Sequence, residues 1–104
     1  MPKQPPKTLQ RFQREFPSVW KSYAGLRDSC DHAGSLDCKT VELIKVAIEV
    51  ATHRHGGLIA HVHRAQAVGA TPEDIFHALL LALPLVGFPE TLEAFRVATE
   101  ALER

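Results

Sequence analysis

The chain has 104 residues, 45% of them apolar, and its 12 lysines and arginines balance its 12 acids to a formal charge of zero. That length suits one domain whose core buries only part of its apolar surface, and the charge balance argues against nucleic acid or an anionic membrane as partner. Two cysteines, Cys30 and Cys38, cannot build a disulfide framework and no secretory segment follows Met1, so the expected setting is the reducing cytoplasm.

Residues 1–7 carry three prolines and read as a flexible lead-in, with one helical domain expected over residues 8–104. The first 27 residues are basic, with Lys3, Lys7, Arg11, Arg14, Lys21 and Arg27 against Glu15 alone, a pattern typical of a solvated segment. Phe12, Phe16, Val19, Trp20, Tyr23 and Leu26 recur at three- and four-residue steps, an amphipathic stripe over one or two helices, with Pro17 able to begin the second. The run "DHAGS" ends that segment.

A second strong helix is predicted from residue 38 to 52 or 53, with Asp37 as its N-cap. Val41, Ile44, Ile48 and Ala51 fall on one side, joined by Leu43, Ala47 and Val50, and this broad apolar arc is expected to face the core. Glu42, Lys45, Glu49 and Thr52 line the other side as a solvated stripe. "RHGG" is expected to break the helix, since two glycines cost about 2 kcal/mol of propensity relative to alanine.

A third helix, about residues 57–68, stops at Gly69, which suits a left-handed cap. "TPED" opens the next: Thr71 caps, Pro72 takes the first helical position, and Glu73 and Asp74 complement the helix dipole. This helix, to about Leu83, is apolar nearly all round, which a domain so small satisfies most readily by oligomerising. The apolar run of residues 78–88 is eleven residues long, too short to cross a bilayer. Pro84 and Gly87 bend or end the helix, Pro89 restarts the chain, and Leu92, Phe95, Ala98 and Leu102 mark a final amphipathic helix. The fold class is therefore all-α, with five to six helices.

Four of the six histidines fall in "THRHGGLIAHVH", residues 52–63. Side chains two apart on a helix diverge by about 200°, so His61 and His63 cannot chelate one ion, and neither CxxC nor HExxH occurs. No metal is predicted. Proton chemistry is the better candidate for this cluster. With Leu58 at the origin of a helical wheel, Val62 stands near about 40°, Ala65 about 340°, Val68 about 280° and His61 about 300°, inside the apolar arc, while His63 at about 140° lies on its edge. A buried imidazole needs a hydrogen-bond partner and is useful as an acid or base, although a satisfied core histidine fits the same pattern. Arg54 could clamp a carboxylate bidentately or simply sit as a charge at a helix end.

The stretches "LDCKTVELIKVAIEVA" and "HRHGGLIAHVHRAQAVGATPEDIFHALLLALPLVGFP" together resemble the carboxymuconolactone decarboxylase and alkylhydroperoxidase D superfamily of small helical proteins, over about residues 36–102. In the alkylhydroperoxidase branch, the resemblance implies a glutamate, a CxxC and a histidine in a proton relay to a peroxidatic thiol. Glu42 and His61 stand at the glutamate and histidine positions, while the cysteine positions fall on Arg54 and Gly57. The decarboxylase branch, which lacks the CxxC, fits better, with "RHGGLIAH" keeping its arginine and last histidine. The resemblance thus implies His61 and Glu42 as catalytic candidates, acting without a cofactor on a small carboxylate or lactone that Arg54 would bind; His55 and the two glycines depart from the family pattern, and His55 is offered beside them as a second acid/base group. It also implies a homo-oligomer, trimer or hexamer. Two other functions stay open: an antioxidant peroxidase using Cys30 or Cys38, and a non-catalytic oligomer that binds a ligand or a protein.

Overall fold

The computed structural model describes residues 4–103, and over these the chain forms six α-helices and no strand. The expected lead-in is outside the described residues for positions 1–3, and at Lys7 the first helix has already begun. The chain divides into two units, Met1–Leu36 and Asp37–Arg104.

The first unit holds α1 (Lys7–Glu15) and α2 (Pro17–Asp31). The predicted stripe is split at Phe16, whose φ of −132° leaves the helical region, and Pro17 opens α2 because its fixed φ fits a first turn. Phe12 stacks on Phe16, and Trp20, Tyr23 and Arg27 form a second cluster, with the guanidinium 5.6 Å from the Trp20 ring. Neither helix contains a buried residue.

The second unit holds α3 (Cys38–Ala51), α4 (His55–Ala67), α5 (Pro72–Val86) and α6 (Phe88–Leu102). Helix α3 packs on α4 and α5, and both of those pack on α6. Val46, Val50, Leu58, Val62, Ile75 and Leu79 form the largest part of the core, and Ala65, Ala94 and Ala98 let the helices approach closely. Among the described residues no helix is long and apolar enough to cross a membrane.

Local chemistry sets most of the boundaries. Asp37 caps α3 by accepting the Thr40 backbone N–H at 2.8 Å. Thr71 and Asp74 form a reciprocal capping box at the start of α5. Gly69 has φ +98°, the left-handed conformation expected of a helix-terminating glycine.

Four expectations change. The junction between α3 and α4 is made at Thr52 and His53, with His53 at φ +58°, while Gly56 and Gly57 lie inside the first turn of α4 rather than breaking a helix. Helix α5 continues through Pro84 to Val86 and ends only at Gly87, φ +97°. In α3 the inward face is Glu42, Val46 and Val50, whereas Ile44 and Ile48, assigned to the core by pattern, are 43% and 53% exposed. In α6 the inward face is Thr91, Ala94, Val97, Ala98 and Ala101, and Leu92 and Phe95 stay outside. In both helices close packing selects the smaller side chains and leaves larger apolar ones on the surface.

Candidate functional site

The turn of α3 into α4 lays the two helices side by side, which brings the inward face of α3 against positions 57, 58, 61 and 62 of α4. Leu58, Val62 and Ala65 are fully buried, as the helical wheel places them, whereas Val68, set on the same arc at the end of the helix, is exposed. His61, on the same side, is only 15% exposed in its side chain. Its Nδ1 lies 3.0 Å from Oε2 of Glu42, whose side chain is 11% exposed. The two residues meet across 19 positions of sequence.

A second carboxylate approaches the other edge of the ring. Glu49 stands two turns after Glu42 on the same face of α3, and its Oε1 lies 3.6 Å from Nε2 of His61. Its Oε2 is buried and has no hydrogen-bond partner. The space it fills depends on Gly57: a Cβ at that position would come within 2.5 to 2.8 Å of the Glu49 carboxylate atoms. One imidazole is thus flanked by carboxylates at both nitrogens, in surroundings largely closed to water.

By pattern Glu49 belongs to a solvated stripe. The available signal was its seven-residue spacing from Glu42, which returns to the same helix face, together with a glycine one turn before His61. Pattern also sets Glu42 outward, and the structure reverses this: the carboxylate turns inward and accepts the Nδ1–H of His61, which compensates its burial.

Three other histidines have separate partners. His53 lies 2.7 Å from Oε2 of Glu90. His63, at the edge of the α4 apolar arc, lies 3.1 Å from the Ala101 carbonyl. His32 meets the Asp28 carbonyl at 2.9 Å. His55 opens α4 near Glu93 of α6, whose carboxyl is held below its ordinary value first by the Arg96 hydrogen bond and further by His55. Arg54 is exposed at the N-cap of α4. Of the four predicted residues, Glu42 and His61 meet, and no hydrogen bond or ion pair joins Arg54 or His55 to them among the described residues. Cys30 and Cys38 are free thiols on exposed positions. Among the described residues no set of three or more His, Cys, Asp or Glu side chains is arranged to hold a metal ion.

A separate apolar groove of about 230 Å³ runs between α5 and α6, lined by Phe76, Leu80, Leu83, Phe88, Leu92 and Phe95 among others.

Residues 17–100 match the profile of the carboxymuconolactone decarboxylase family. The fold superposes on the crystal structure of an apo carboxymuconolactone decarboxylase family protein from Legionella pneumophila, with a TM-score of 0.81 and 31% identity, over 92% of this chain and 85% of that one. No curated protein matches the sequence.

Proposed function

The chain belongs to the carboxymuconolactone decarboxylase family, and from that premise we propose that it transfers a proton to or from a small organic acid or lactone by cofactor-independent acid/base chemistry. The observation that carries this reading is the 3.0 Å contact between His61 Nδ1 and Glu42 Oε2, made by two side chains that are nearly closed to solvent.

With its Nδ1–H donated to Glu42, the ring is fixed in orientation and tautomer, and Nε2 becomes the nitrogen that exchanges protons. Arg54, at the exposed start of α4, supplies a bidentate anchor for a substrate carboxylate, and His55 beside it is a second acid/base group. For an unsaturated lactone acid, the bond from carbon to the departing carboxylate breaks, its electron pair passes into the conjugated carbonyl system, CO₂ leaves, and the carbon takes a proton from His61.

The active form is proposed to be a homo-oligomer, a trimer or hexamer. Its support is the apolar surface left on the second unit: Ile44 and Ile48 of α3, Leu80, Leu81 and Leu85 of α5, and Phe88 and Leu92 of α6. Positioned acid/base groups typically contribute about 10²- to 10⁴-fold in rate. His61→Ala is therefore expected to lower turnover of a carboxymuconolactone-type substrate on that scale, and turnover equal to the parent would sink the assignment.

A further inference from the structure

Glu49 is the side chain of this site that acid/base chemistry at His61 and Glu42 does not yet use. Hydrogen-bond bookkeeping gives it a role. An ionised carboxylate offers only acceptors, and a neutral imidazole offers one donor and one acceptor. The donor is committed to Glu42 at 3.0 Å. Nε2 would then direct a lone pair at a carboxylate oxygen 3.6 Å away, in a largely buried place where such repulsion is poorly screened. The contact becomes complementary once a hydrogen lies on the line between those atoms.

We propose that Glu49 is a second functional carboxylate of this site and that the Nε2–Glu49 pair holds a proton in the resting protein, making the site a proton donor before substrate arrives. The proposal rests on His61 being the acid/base group. Two further observations point to a position kept for Glu49. Its Oε2 is buried without a partner, an arrangement that costs stability. Position 57 is a glycine where any Cβ would displace the carboxylate. The charged groups meeting the ring are Glu42 and Glu49, both from α3, with Lys45 between them on that helix. Delivery of the proton leaves Nδ1–H on Glu42 and a free lone pair on Nε2, and the proton is regained from solvent. Glu49 acts through His61 and is a positioning residue.

The test needs no substrate, so it is separable from the failure of the proposed reaction. Ring ¹⁵N shifts of His61 are measured at neutral pH in the parent, Glu49→Ala and Gly57→Ala, with circular dichroism to establish folding. In the parent, neither ring nitrogen is expected at the value of a bare lone pair. In Glu49→Ala, Nε2 is expected to move far downfield to that value, and added formate, seated against Gly57, to return it. Gly57→Ala retains Glu49 but pushes it aside, and is expected to reproduce the downfield shift. A bare Nε2 in the parent, or shifts unchanged in both variants, overturns the proposal. Should one variant fail to fold, the parent spectrum and the other variant still decide it. If these shifts behave as expected while His61→Ala turns over normally, the proton line exists and the proposed reaction is what fails.

Discussion

Three side chains, Glu42, Glu49 and His61, make a polar line largely closed to water, and their energetics distinguish a structural device from a functional one. Removing one member of a buried pair leaves the other unsatisfied, which costs about 1–3 kcal/mol. Replacing the whole group with apolar residues of similar size is often neutral or stabilising by about 1–4 kcal/mol. Glu42→Leu alone is therefore expected to lower stability in urea denaturation. The triple variant Glu42→Leu, Glu49→Leu, His61→Leu is expected to equal or exceed the parent in stability while losing turnover. A triple variant less stable than Glu42→Leu would mean that the polar line serves the fold.

At the scale of the helices, caps do much of the specifying. The Asp37 carboxyl is held below its ordinary value of 3.8 chiefly by the Thr40 backbone N–H. The Asp74 carboxyl is likewise held low, chiefly by the Thr71 backbone N–H and against some desolvation. Both values are depressed in the folded state, so the stabilisation is complete above the unfolded value, about pH 4, and is lost as pH falls through the folded values. Hydrogen exchange in the first turns of α3 and α5 is expected to quicken below about pH 4 relative to the other helices. Asparagine at both positions, which still caps but does not titrate, is expected to flatten that dependence. Removing the other half of the capping box by Thr71→Ala is expected to cost about 1 kcal/mol at neutral pH, read from denaturation.

For the whole molecule, the decisive feature is apolar surface left uncovered. Leu85 is 86% exposed, and Leu80, Leu81, Phe88 and Leu92 accompany it on the outer sides of α5 and α6. This many large apolar side chains exposed on two neighbouring helices is the pattern of an interaction surface. Analytical ultracentrifugation is expected to give a mass several times the 11.5 kDa of one chain. Leu81→Lys with Leu85→Lys is expected to reduce it to a monomer that keeps its helicity. A parent that sediments at the single-chain mass would rule out the homo-oligomer.

What the amino-acid order determined by itself was the local part. The all-α class, the caps at Asp37 and Thr71, the left-handed Gly69 and the inward set Leu58, His61, Val62 and Ala65 follow from residues within a turn or two of each other. The family resemblance, and not periodicity, singled out Glu42 beside His61. Only the tertiary structure decided which faces of α3 and α6 turn inward, placed the α3–α4 turn on His53, and brought Glu49 to the second nitrogen of the imidazole. The reason is that helical periodicity defines faces but not their neighbours. A carboxylate face is the buried one when an imidazole opposite compensates it and a glycine makes room, and that match exists only once two helices lie against each other.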